Sequence, residues 1–155
     1  MSTCDNQSVG VIVQNSGEFL LLQRAKFPWG LAPPAGHIDE HGTPEQAATA
    51  ETYEEVGIEL PLSSLVKVIA NRRIDNKCRR SGGEYHDWTV FTAESSTRET
   101  VASEEETNGL YWLNSEQLQD LADYTRSTDP SNVNQKSRIL EKVWLDFFVD
   151  LKFVR

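Results

Sequence analysis

The 155 residues contain only two cysteines, Cys4 and Cys78, and no cysteine pair at metal-ligand spacing. That excludes a disulfide scaffold and a cysteine-based zinc site, and two isolated thiols suit a reducing, cytoplasmic setting. No run of about 18 apolar residues occurs, so a membrane-spanning helix is not expected, and the opening MSTCDNQS has no apolar signal core. Positive charge is also scarce. Fifteen Lys and Arg stand against 24 Asp and Glu, giving a net charge of −9 and a pI near 4.8. Such a surface suits neither a DNA or RNA backbone nor an anionic membrane. The three histidines, His37, His41 and His86, show no zinc spacing, and His86 beside Asp87 reads as a strand-edge hydrogen-bonding residue. What remains is a chain with enough apolar residues for a proper core, 38% of the total. With no repeat or linker, the expectation is one domain over residues 1–155, with residues 1–8 as a flexible tail.

Turn chemistry and periodicity place the elements. Residues 9–13 and 19–23 flank Asn15-Ser16-Gly17 and read as a hairpin, and the unbroken Leu20-Leu21-Leu22 predicts a strand covered on both faces. Residues 26–36, rich in Pro and Gly, read as an ordered loop. Thr43-Pro44-Glu45-Gln46 is a strong helix start: Thr43 caps, Pro44 suits the first helical position and Gln46 completes a capping box. This helix should end at Gly57. Residues 65–74 and 85–93 predict two strands joined by the basic stretch NKCRRSGGE. Residues 94–109, polar and acidic, read as a mobile loop. Residues 110–113 predict a short strand, followed by a helix capped at Asn114 and running to about residue 121. The apolar positions Ile139, Leu140, Val143, Trp144, Phe147, Phe148 and Leu151 recur at helical spacing within residues 131–153. That stripe reads as a helix packed on the core, with a homodimer seam as the alternative.

The first long helix is unusual at its end. Glu51, Glu54 and Glu55 are three and four positions apart and share one face. The last two fall in the final turn, where the helix dipole is negative and each carboxylate costs roughly 0.3–1 kcal/mol. A hard divalent cation would relieve that repulsion, because carboxylate oxygens are the ligands that Mg2+ and Mn2+ prefer. The bland alternative is a solvated acidic face.

Those glutamates lie in GHIDEHGTPEQAATAETYEEVGI, from Gly36 to Ile58, which resembles the Nudix box of MutT-like hydrolases, Gly-x5-Glu-x7-Arg-Glu-U-x-Glu-Glu-x-Gly-U with U a bulky aliphatic residue. Gly36, Glu51, Glu54, Glu55, Gly57 and Ile58 match. Gly42, Ala50 and Thr52 stand where the family has Glu, Arg and an aliphatic residue. The flanking LLLQRAKFPWGLAPPAGHID and LYWLNSEQL segments are also similar to the family, extending the resemblance from Val9 to Leu121.

The resemblance implies a fold, a reaction and a site. The fold is an α/β/α sandwich with a mixed β-sheet between helices. The reaction is hydrolysis of a diphosphate linkage in a small-molecule nucleoside diphosphate derivative, with Mg2+ as cofactor and Mn2+ as a substitute. Glu51, Glu54 and Glu55 would hold the metal, with the Gly36 carbonyl as a further donor, and Glu54 or Glu51 would double as the base acting on water. Glu105 or Glu106 is the candidate for an additional acidic residue. In the family the box Arg fixes the carboxylates by a salt bridge; with Ala50 in its place, Arg72 or Arg73 is a candidate replacement. Arg24, Arg72 and Arg73 are candidates for holding phosphate oxygens, and Trp29 or Tyr85 for stacking a base. Each has a bland alternative, as a surface ion pair or as packing. The missing Glu and Arg also keep a second hypothesis open, a nucleotide-binding Nudix-fold sensor with weak catalysis. A third is an acidic interaction domain without metal.

Overall fold

The computed structural model describes residues 6–39, 41–75 and 84–155. Cys4, Cys78 and most of the basic stretch lie outside them. The elements in chain order are β1 (Gln7–Asn15), β2 (Glu18–Arg24), β3 (Leu31–Ala32), β4 (Ala35–His37), α1 (Pro44–Val56), β5 (Val66–Ile74), β6 (His86–Glu94), β7 (Thr107–Leu113), α2 (Ser115–Ser127) and α3 (Lys142–Asp150). The strands form one seven-stranded sheet with the path β3-β2-β1-β6-β5, while β4 pairs with β1 and β7 with β2. β1 and β6 run parallel and the other pairings are antiparallel, so the sheet is mixed.

Period-two alternation assigns the side chains of β1 and β2 to two cores. Val9, Val11, Val13, Leu20 and Leu22 pack on the face covered by α1, with Ala47, Ala48, Val56, Ile58 and Phe91. Ile12 and Leu21 face the opposite way, toward α2 and α3, among Trp88, Leu118, Trp144, Phe147 and Phe148. Leu20, Leu21 and Leu22 are all buried, as their unbroken run predicts. The architecture is therefore an α/β/α sandwich. Each large buried side chain contributes about 1.5–3 kcal/mol. Gly10 lies beneath α3, where a β-carbon would come within 2.4 Å of the Trp144 ring.

Several boundaries differ from the sequence expectations. Gln7 and Ser8, expected in a tail, are part of β1 because β4 and β6 pair with it on either side. The Pro-rich loop contains the short strands β3 and β4. α2 extends to Ser127, with Ala122 buried and the Thr125 hydroxyl donating to the Leu121 carbonyl at 2.7 Å. The last helix begins at Lys142 rather than near 131. Upstream, Leu31 and Glu141 donate backbone N–H groups to Ile139 and Leu31 at 2.6 and 2.9 Å, which holds that segment extended against β3. Val143, Trp144, Phe147 and Phe148 are buried within the same chain, so the apolar stripe is core rather than an exposed dimer seam.

Candidate active site

Helix α1 is held at both ends as its termini require. Gln46 donates its backbone N–H to the Thr43 hydroxyl at 3.1 Å, and Thr43 donates its own to the Gln46 side chain at 2.9 Å, completing the capping box. At the other end Gly57 is left-handed, φ +75°, and donates to the Tyr53 carbonyl at 2.9 Å. Val101 and Ser103 donate backbone N–H groups to the carbonyls of Val56 and Glu55 at 2.9 and 3.2 Å. The acidic segment read as a mobile loop is thus tied to the end of this helix, and β7 starts at Thr107, three residues earlier than expected. Thr52, in place of an aliphatic residue, is fully buried. Its hydroxyl donates to the Ala48 carbonyl at 2.8 Å, so the substitution leaves no unpaired donor in the core.

The small Ala47 and Ala48 seat α1 closely on the sheet, next to β4. Glu51 lies directly against Gly36, where a β-carbon would come within 2.3 Å of its carboxyl carbon. A side chain at position 36 would therefore displace the Glu51 carboxylate; Gly36 belongs to β4 and is not among the residues with positive φ. Glu51, Glu54 and His41 each present a ligand atom within 4.8 Å of the others, the one such group among the described residues. His41 Nε2 is 3.5 Å from Glu51 Oε1.

Glu55 is placed differently. It is 5% exposed and accepts the Ala35 backbone N–H at 2.9 Å. Burial pushes its pKa from 4.5 up to about 8; the Ala35 hydrogen bond opposes the rise, Glu51 adds to it, the Arg24 guanidinium opposes it and Glu106 adds to it. The three glutamates thus divide into a converging pair, Glu51 and Glu54, and a buried carboxyl tucked beneath β4.

Of the residues read as substrate-binding, Arg24 is near this centre, close enough to act on Glu55, and it donates Nε–H to the Pro28 carbonyl at 2.7 Å. Burial raises the pKa of Glu141, which Arg24 also opposes, so Arg24 serves two buried carboxyls. Arg72 and Arg73 are engaged elsewhere. Arg72 pairs with Asp150 of α3, while Arg73 pairs with Asp75 at 3.2 Å and covers the Tyr85 ring at 3.9 Å. Both side chains are thus taken up by Asp150, Asp75 and Tyr85. Trp29 meets Phe27 edge-on at 6.1 Å and lines a cavity of about 620 Å3 with Pro28, Leu140 and Leu145. Of the two acidic loop candidates, Glu106 pairs with Lys26 at 3.0 Å and acts on Glu55. His86 is buried with its ring 5.5 Å from that of His37. Sequence reasoning missed His41: its signal was a one-residue offset from the box Glu position, visible only once the turn at Gly42 is known.

Comparison with known proteins then gives the family of the chain. The NUDIX domain family matches residues 5–132. The chain belongs to the NUDIX domain family, and its enzyme class is pyrophosphohydrolase acting on a phosphorus-containing anhydride. A C. elegans Ap4A hydrolase, in a binary complex, shares 25% identity and a TM-score of 0.59, covering 78% of this chain and 88% of its own. A Nudix hydrolase from M. smegmatis, RenU, shares 26% identity and a TM-score of 0.53, covering 74% of this chain and 73% of its own. A MutT protein from Methanosarcina mazei Go1 shares the fold at 18% identity, with a TM-score of 0.66 over 98% of this chain and 96% of its own. No curated protein matches the chain.

Proposed function

We propose that this protein is a divalent-metal-dependent hydrolase of a diphosphate linkage in a small nucleoside diphosphate derivative. The observation that carries this reading is the convergence of Glu51 and Glu54 at the C-terminal end of α1, above Gly36. Two carboxylates at the negative end of a helix dipole form a donor set that fits a hard cation and is destabilising without one. Glu51, Glu54 and Glu55 would hold Mg2+ or Mn2+, with the Gly36 carbonyl as a further donor. Glu55 must first lose the proton that burial favours, so its contribution depends on the nearby positive charge of Arg24. When bound, the metal screens the diphosphate, polarises a phosphoryl oxygen and lowers the pKa of water. Glu54 or Glu51 would act as the base on the attacking water. We assign Arg24 to a phosphate oxygen, on the ground of its charge beside Glu55, while Trp29 lines an apolar cavity with residues of α2 and α3. The C. elegans relative is named for Ap4A, which places dinucleoside polyphosphates among the substrates to try first. Among the described residues no helix is long and apolar enough to cross a membrane.

The deciding experiment is a hydrolysis screen of nucleoside triphosphates, sugar nucleotides, dinucleoside polyphosphates and cap-like compounds, with Mg2+ and with Mn2+. Turnover of at least one compound is expected, falling about 10²-fold or more in Glu54→Gln, because a lost metal ligand also loses the activated water. Thermal stabilisation by nucleotides with no turnover across the panel would favour the sensor reading instead, consistent with Gly42 and Ala50.

A further inference from the structure

We propose that His41 is a ligand of the metal site, donating Nε2 beside Glu51 and Glu54, and that this makes the site prefer Mn2+ to Mg2+. The inference rests on the metal-site reading above and deepens it. Three features of the chain bring the imidazole there. His41 donates its backbone N–H to the Ile38 carbonyl at 2.9 Å, closing a turn after β4. Asp39, at φ +45°, and Gly42, at φ +98°, then bend the backbone through left-handed positions into the Thr43 cap. A β-carbon at Gly42 would lie 2.3 Å from Gln46 Oε1, the atom that completes the capping box. The family's Glu at position 42 would be strained at this φ and would have to displace the Gln46 side-chain oxygen, and the same turn returns residue 41 over Glu51. The second departure, Ala50, means that position 50 does not supply the arginine of the family pattern.

The distance is informative. His41 Nε2 and Glu51 Oε1 are 3.5 Å apart, beyond the roughly 2.7–3.2 Å of a well-formed N–H···O bond. Donor atoms that each sit about 2.0–2.2 Å from one ion are separated by roughly 3–4 Å. Glu54 completes the group, with all three ligand atoms within 4.8 Å. His41 is partly open to solvent, with its side chain 31% exposed, and so is reachable by an incoming ion. Carboxylate, carbonyl and water suit both Mg2+ and Mn2+, but an imidazole nitrogen is a ligand that first-row transition-metal ions accept more readily than the hard Mg2+. Replacing one oxygen ligand by an imidazole nitrogen shifts the balance toward Mn2+ without excluding Mg2+.

The test uses the whole chain, stripped with EDTA and titrated with Mn2+ while free Mn2+ is followed by electron paramagnetic resonance, with pulsed measurements for nitrogen coupled to the bound ion. Competition by Mg2+ gives the preference. The expected result is a 14N coupling that converts to 15N when histidine alone is isotopically labelled. In His41→Gln the coupling should vanish and Mn2+ affinity should fall by at least the roughly tenfold that even an outer-sphere partner costs, with Mg2+ affinity little changed. The labelling arm does not depend on any variant folding. Binding that Glu54→Gln abolishes, without nitrogen coupling and unchanged in His41→Gln, would overturn the histidine assignment and leave the carboxylate site standing. Absence of Mn2+ and Mg2+ binding altogether would overturn both.

Discussion

Glu55 provides the sharpest quantitative test of the site. The perturbation is Glu55→Gln in metal-free protein, an isosteric change that keeps an oxygen to accept the Ala35 N–H. In the folded chain burial holds the Glu55 carboxyl neutral up to about pH 8, whereas unfolding returns it to 4.5. Between those values the native state retains a proton that the unfolded state has released, so stability falls as pH rises. The contribution is intact below about pH 4.5 and is progressively lost up to about pH 8. At 1.36 kcal/mol per pH unit the total is on the order of 5 kcal/mol, a large share of the stability of a domain this size. The glutamine variant has no such proton to lose. The difference in unfolding free energy between variant and parent should therefore be small near pH 5 and grow in favour of the variant by about 3–4 kcal/mol near pH 8. Urea denaturation in EDTA across this range measures it, and groups that titrate alike in both proteins cancel in the comparison. A difference that stays constant from about pH 5 to pH 8 would refute the buried, neutral Glu55.

Three further perturbations separate site from scaffold. Gly36→Ala places a β-carbon 2.3 Å from the Glu51 carboxyl carbon; Glu51 should swing away, lowering metal affinity about tenfold or more and turnover about 10²-fold with little change in melting, as calorimetric titration and hydrolysis rates would show. Gly10→Ala drives a β-carbon to 2.4 Å from the Trp144 ring, and overpacking of this kind should cost about 1–3 kcal/mol in urea denaturation without a metal-dependent component. Arg72→Ala removes an exposed pair with Asp150; stability should change by no more than about 1 kcal/mol and KM should not move. A tenfold rise in KM would return Arg72 to the substrate site.

Much of this molecule is legible along the chain because it is written in local chemistry. The Thr43 and Asn114 caps, the Gly57 stop, the hairpin at Gly17 and the doubly covered Leu20-Leu21-Leu22 strand depend on residues within a few positions of one another. The box glutamates were legible for the same reason, since their spacing crowds three carboxylates into the end of one helix, although the one face expected for all three holds only for Glu51 and Glu54. Long-range pairing was less visible. Gln7 and Ser8 look like tail residues until β4 and β6 arrive on either side, and the acidic 94–106 segment looks loose until its N–H groups find the carbonyls at the end of α1.

The sequence by itself determined that a carboxylate cluster closes the first helix and that strands and helices alternate in the manner of a Nudix domain. Only the tertiary structure decided how the three glutamates divide. Glu51 and Glu54 face outward together, while Glu55 is carried inward because the last turn of α1 packs over the Ala35 amide and buries it. Tertiary structure also sent Arg72 and Arg73 to Asp150, Asp75 and Tyr85, kept Arg24 beside the site, and brought His41 back over Glu51. The physical reason is common to all of these: spacing along one helix fixes which side chains share a face, but burial, charge neighbours and ligand distances are set by segments that sequence separation does not bring together.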